Sequence, residues 1–185
     1  MKYWNPEIYL KAWNFASVAH QTQLMSSSNV PYINHIGSVA MEAMTAITYS
    51  DNIQYPDLLI QCALLHDVIE DTDISYEEIK REFSLDVADG VLALTKNKKL
   101  PSKQEQMEDS LNRIIQQPPE IWMVKMCDRI TNLQPPPKHW NQQKIIKYRQ
   151  EAILIWQRLG KANQYLAQRL DYKITQYQQY QTLEL

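Results

Sequence analysis

Polar residues interrupt apolar helical stripes at three sites in this 185-residue chain. Tyr32, His35, Ile36, Val39 and Ala43 recur at a spacing that puts them on one helix face. Leu59, Ala63, His66 and Asp67 do the same, as do Ile121, Val124, Asp128 and Thr131. His35, His66, Asp67 and Asp128 are therefore expected to point toward the core or its rim. A carboxylate there is costly unless it is paired or bound to a cation. Two imidazoles and two carboxylates from three helices suit one divalent transition metal, and such mixed donors match manganese, iron or zinc better than calcium. Taken singly, each residue has a plainer reading. These are a hydrogen-bonded core histidine, a helix cap, or an ion pair of Asp128 with Lys125 or Arg129.

The run Leu64-Leu65-His66-Asp67-Val68-Ile69-Glu70-Asp71-Thr72 concentrates acidity straight after an apolar helix. Glu70 and Asp71 follow the His-Asp pair closely enough to orient or deprotonate a water that a metal acidifies. The two acids are not separated by role on sequence grounds. Their alternative use is as solvated loop acids near a helix end.

The elements that must hold these residues read as helices throughout, with no convincing strand alternation. The first is expected from Pro6 to Leu24, followed by a polar loop, Ser26-Ser27-Ser28-Asn29. The second runs from Pro31 to Thr48, with proline suited to its first turn. The third spans Pro56 to Val68. Ser75-Tyr76-Glu77-Glu78 reads as a capping box. Ser84 caps a further helix ending near Thr95, and a Lys-rich loop from Lys96 to Lys103 leads to another that ends before Pro118. Pro118-Pro119 opens the helix carrying Met123 to Asn132, and Gln134-Pro135-Pro136-Pro137 breaks the chain. Two more helices cover Gln142 to Leu159 and Lys161 to Tyr177. The expectation is an all-α, single compact helical bundle over residues 1–185, with a Gln/Tyr-rich tail at 176–185 that frays.

Composition removes other classes. Glycine occurs three times, which disfavours a nucleotide fold built on a Gly-rich loop. The formal net charge of −2 gives no electrostatic case for duplex nucleic acid as a partner. No apolar run approaches the roughly 18 residues of a membrane span. Met1-Lys2-Tyr3-Trp4-Asn5-Pro6 lacks a signal-peptide core. Cys62 and Cys127 sit in apolar helical runs without metal-type spacing and read as buried small hydrophobes in a reducing, cytoplasmic compartment. The oligomeric state is not encoded in any pattern noted.

With these pieces in order, the chain resembles the HD-domain hydrolases of the alarmone type, meaning the hydrolase domain of Rel/SpoT proteins and the small stand-alone alarmone hydrolases. The resemblance covers roughly residues 8 to 160. It rests on Ala19-His20, Pro31-Tyr32-Ile33-Asn34-His35, Ala63 to Thr72, Leu94-Thr95-Lys96, and Val124 to Arg129 with Asn132-Leu133. It implies an HD-type fold, manganese held by His35, His66, Asp67 and Asp128, and Glu70 and Asp71 as the catalytic acids. It also implies a phosphorylated nucleotide substrate, a guanosine alarmone (ppGpp or pppGpp), that loses its 3′-pyrophosphate. Lys96, Asn132, Lys144 and Tyr148 match positions that line the family's pocket.

One stretch departs from the pattern. The family carries an Arg-Lys pair between the positions of His20 and Tyr32, stacking on guanine. Here Gln21 to Pro31 holds no basic residue, and Met25 and Ser26 fall about where the pair belongs. Loss of a stacking cation removes cation–π attraction as well as charge. The expectation is weaker guanine discrimination, with a related adenosine alarmone accepted. Two other functions fit the same residues: a general HD nucleotide phosphohydrolase, and a nucleotide-binding regulatory protein with slow turnover.

Overall fold

Proline, serine and asparagine set where the helices begin in the computed structural model, which describes residues 4–26 and 28–181. The helices follow as α1 (Pro6–Ala19), α2 (Ile33–Thr48), α3 (Pro56–Leu65), α4 (Val68–Asp71), α5 (Tyr76–Glu82), α6 (Leu85–Leu94), α7 (Lys103–Ile114), α8 (Pro119–Asn132), α9 (Gln142–Leu159) and α10 (Gln164–Tyr177). Pro6, Pro56 and Pro119 stand in first turns, where a missing N–H costs nothing. The side chains of Asn5, Ser75, Ser84, Ser102, Asn141 and Asn163 accept first-turn N–H groups. At Ser75 the hydroxyl accepts from Glu78 N–H; the reciprocal box is complete at Ser102 and Glu105. Among the described residues the β structure is a lone antiparallel bridge between Leu24 and Pro31.

Two helices end earlier than their periodicity predicts. α1 stops at Ala19, not Leu24, because the backbone from His20 turns back on itself. Gln23 N–H donates to His20 O, Tyr32 N–H to Gln23 O, and Met25 N–H to Val30 O. α3 stops at Leu65, not Val68. The His66 ring turns to the carbonyl of Ala63, and the chain restarts as the single turn α4. Downstream, Gly160–Ala162 forms a 3-10 turn before Asn163 caps α10. Of the tail, Tyr177 is buried and Gln178–Tyr180 forms a second 3-10 turn, while 182–185 lie outside the described residues, as do Met1, Lys2, Tyr3 and Ser27.

α3 occupies the centre, packed against α1, α2, α6 and α8. Leu59, Ile60, Cys62, Ala63, Leu64 and Leu65 are fully buried, so this helix is apolar over most of its surface, and only Asp57 and Gln61, one turn apart, give it a polar edge. α6 crosses it closely at Gly90: a Cβ there would lie 2.5 Å from Ile121 Cδ1 and 2.9 Å from Cys62 Sγ. Cys62 and Cys127 are free and buried, and burial raises both thiols above their ordinary range. α9 and α10 lie against α8. Arg169 on α10 forms a two-armed ion pair with Glu42 on α2, whose carboxylate is 3% exposed. Breaking a buried pair of this kind costs about 3–5 kcal/mol, less where one partner is partly solvated as Arg169 is. No helix among the described residues is long and apolar enough to cross a membrane.

Candidate active site

α2, the end of α3 and α8 bring His35, His66, Asp67 and Asp128 together. Ile36, Val39, Ala63, Val124 and Cys127 are buried beside them, so core packing sets where the polar groups emerge. His66 Nδ1 donates to Ala63 O at 2.9 Å, which leaves Nε2 facing the site. His35 Nε2 lies 3.5 Å from Asp128 Oδ1 and 3.9 Å from Asp67 Oδ2. His66 Nε2 lies 3.0 Å from Asp67 Oδ2, close but not aligned for a hydrogen bond, and 4.0 Å from Asp128 Oδ1. One donor atom each of His35, His66 and Asp128 falls within 4.8 Å of the others. Asp67 adjoins that group and accepts the hydroxyl of Tyr32.

These residues fit a divalent metal on one observation above all. The Nε2 atoms of His35 and His66 are both buried with no hydrogen-bond partner, and both face carboxylates. A buried polar atom left bare is costly, and a cation satisfies nitrogens and carboxylates at once. Without it, the charges strain toward protonation of the histidine. Burial lowers the His66 imidazole, but Asp67 and Asp128 outweigh burial and raise it to about 9. Burial raises the two carboxylates in turn, yet His66 pulls Asp67 below the usual range, and Lys125 with the two histidines does so for Asp128. The ion pair of Asp128 with Lys125 forms at 3.0 Å, alongside the histidine contacts rather than instead of them.

Glu70 and Asp71, at the end of α4, have different neighbours. Glu70 accepts the main-chain N–H of Lys96 at 3.0 Å on one oxygen and Lys96 Nζ at 3.2 Å on the other. Burial lowers the Lys96 ammonium, but Glu70 and Asp128 raise it more, so it stays charged. Lys96 follows the C-terminus of α6, whose carbonyls are claimed by α7. Arg113 donates to Leu92, Ala93 and Thr95 O, and Ser110 to Ala93 O. Asp71 accepts a neutral donor, Gln23 Nε2, at 3.2 Å on Oδ2; its Oδ1 lies 3.8 Å from Lys98 Nζ.

Both acids open on a cleft of about 620 Å³, within the range of small-molecule sites. Its lining holds seven lysine and arginine side chains against five carboxylates. Of the expected ligand contacts, Lys96, Asn132, Lys144 and Tyr148 line it. Asn132 also donates to Asp128 Oδ1, one turn back on α8, and so steadies that carboxylate. Met25 and Ser26 are on the α1–α2 loop and are not among the lining residues. Sequence reasoning missed Trp140, Arg129, Lys103 and Lys147. Lys144 Nζ stands 4.1 Å over the Trp140 ring, Trp140 meets Tyr148 edge-on at 5.1 Å, and the Arg129 guanidinium lies 4.3 Å over Tyr148. Extending the four-residue step from Tyr148 through Lys144 back to Trp140 is the signal that finds the tryptophan.

Comparison with known proteins gives three findings. Residues 12–165 match the family model described as HD domain. The guanosine-3′,5′-bis(diphosphate) 3′-pyrophosphohydrolase MESH1 of Xenopus tropicalis is 31% identical over 89% of this chain and 92% of its own length; that of Homo sapiens is 28% identical over 90% and 93%. A solved structure titled as a metazoan ortholog of SpoT that hydrolyzes ppGpp and plays a role in starvation responses superposes with a TM-score of 0.80 and 26% identity, covering 95% of this chain and 98% of that one.

Proposed function

This chain belongs to the HD-domain family, alongside the MESH1 and SpoT-type hydrolases, and from that footing we propose that it removes the 3′-pyrophosphate of a guanosine or adenosine alarmone. The carrying observation is the pair of buried, partnerless imidazole nitrogens facing two carboxylates at the floor of a cation-rich cleft. His35, His66, Asp67 and Asp128 would hold one divalent metal; their mix of imidazole and carboxylate suits manganese, iron or zinc, and the resemblance to the alarmone hydrolases favours Mn²⁺ among these. Such an ion, when bound, acidifies water and offsets charge on phosphoryl oxygens.

Water adds at the phosphorus attached to the ribose 3′ oxygen, and the bond from that oxygen to phosphorus breaks. The products are pyrophosphate and a nucleoside 5′-di- or triphosphate with a free 3′ hydroxyl. Of the two acids, Asp71 is the proton handler: it lines the cleft, and its Oδ1 takes no hydrogen bond among the described residues, with Lys98 Nζ 3.8 Å away. Glu70 is committed on both oxygens to Lys96, and its duty is to fix that ammonium against the phosphates. Lys98 stands at the same mouth, while Lys144 and Arg129, backed by Trp140 and Tyr148, line the far end for the remaining phosphates and the base.

The test is incubation with Mn²⁺ and a panel of 3′-pyrophosphorylated and ordinary nucleotides, with products resolved by base and phosphate count. Pyrophosphate is expected from the first group only. Orthophosphate from ordinary 5′-monophosphates, with 3′-pyrophosphates untouched, replaces this reading with a general nucleotide phosphohydrolase. Tight retention of nucleotide without turnover replaces it with a regulatory binding protein.

A further inference from the structure

His20 is buried, at 2% exposure, and takes no part in the metal site, the acidic pair or the cleft lining. Its Nδ1 lies 2.6 Å from Gln23 Oε1, and Gln23 Nε2 lies 3.2 Å from Asp71 Oδ2. We propose that His20 and Gln23 form a positioning relay that holds Asp71 with one oxygen toward the cleft; this rests on the reading of Asp71 as proton handler.

The donor directions are determined by chemistry. An ionised carboxylate accepts only, so the side of the Gln23 amide facing Asp71 must be its NH₂ group. The amide oxygen then faces His20 Nδ1, which must carry the proton. Reversing the amide would set its oxygen against a carboxylate oxygen of Asp71, so the contact with Asp71 decides the orientation and, through it, the tautomer. The bare nitrogen of His20 is thereby Nε2, which is buried without a partner. Burial lowers this imidazole, which keeps the ring neutral and the single tautomer in place.

The relay is anchored at every joint. His20 caps the end of α1, its N–H bonded to Ala16 O. Its ring packs at 5.2 Å against that of Tyr32, whose hydroxyl donates to Asp67. The backbone of Gln23 is clasped on both sides, by His20 O and by Tyr32 N–H. Asp71, in contrast, ends a helix of four residues and is one-third exposed. A carboxylate on so short an element keeps one orientation only if something outside the element holds it, and Gln23 is that support.

The experiment has two readouts. Turnover of a 3′-pyrophosphorylated nucleotide with Mn²⁺ is measured for Gln23→Leu, Asp71→Asn, the double variant, and His20→Ala, His20→Asn and His20→Gln. Gln23→Leu is expected to lower kcat about tenfold, part of the 10²–10⁴ that proton transfer contributes, with KM changed less than twofold. In the Asp71→Asn background it is expected to add nothing, as for residues that act as one unit. His20→Asn, whose amide reaches the place of Nδ1, recovers most of what His20→Ala loses; His20→Gln, which mimics Nε2, does not. Independently of turnover, ¹⁵N NMR of the His20 ring is expected to show the Nδ1–H tautomer, with the Nδ1 proton losing its hydrogen bond in Gln23→Leu. An Nε2–H tautomer in the wild type overturns the relay, as do additive losses in the double variant. Full activity in Asp71→Asn overturns instead the assignment of Asp71 on which the relay rests.

Discussion

Where α2, α3 and α8 meet, the His35 and His66 side chains are 5% and 3% exposed; elsewhere in the cleft lining, those of Lys96 and Lys98 are 35% and 64% exposed. The first wall is positioned by the core. Each of its polar groups emerges from a helix turn whose neighbours are buried, so moving one means repacking several. The second wall is positioned by pairing. Its lysines lie on a loop and on the outer face of α9, held by Glu70 or by an aromatic ring. The difference separates two tasks. A metal needs fixed donors at short range, whereas phosphates of varying number are met by long side chains that adapt.

Variants in the two walls are expected to differ in kind as well as size. His66→Ala is the strongest break. It is expected to abolish retention of about one divalent ion per chain and lower turnover by at least about 10³-fold, since a ligand and its charge balance go together. Metal analysis beside kinetics checks it, and equal activity after exhaustive chelation would remove the metal from the mechanism. Asp71→Asn is next: the metal stays and kcat falls about 10²-fold. Glu70→Gln is expected to weaken Lys96 placement and to raise KM as well as lower kcat, so the two acids separate in a KM-against-kcat comparison. Identical profiles would merge their duties.

Lys144→Ala sharpens the contrast from the other side. It is expected to raise KM about five- to tenfold with kcat within about twofold, and the loss should shrink as salt rises, because exposed charge is screened. A kcat effect as large as that of Asp71→Asn would place this wall in the chemical step. The smallest expected effect concerns the base. With no cation between Gln21 and Pro31, guanosine and adenosine alarmones in competition should differ by less than about tenfold, the scale of one lost cation–π contact. Met25→Arg should move the ratio toward guanine; an unmoved ratio would leave base recognition to Trp140 and Tyr148.

The same contrast explains what was legible in the sequence. His35, His66, Asp67 and Asp128 could be read from periodicity because each replaces an apolar residue in a stripe that must face inward. The all-helical architecture was equally open, from proline and serine at helix starts. Helix ends were less so. α1 stops short because Gln23 and Tyr32 exchange backbone hydrogen bonds with partners that periodicity does not encode, and α3 because the His66 ring takes the Ala63 carbonyl. The pairing of Glu70 with Lys96 spans 26 positions and that of Gln23 with Asp71 spans 48, so neither follows from local spacing. Trp140 stands one residue before the cap of α9, so it is found only when the four-residue step of Tyr148 and Lys144 is carried past the start of the helix.

The ion pair between Glu42 and Arg169 has a consequence for how the chain is made. The ribosome delivers the acid first and the guanidinium 127 positions later. At about 5–20 residues per second, that is a wait of roughly 6–25 s. During it the inner face of α2 carries a carboxylate that the finished core encloses but that has no countercharge. Closing that face early would leave the acid in apolar surroundings, so the packing of α2 around Glu42 is expected to be completed only when α10 docks and Arg169 reaches it.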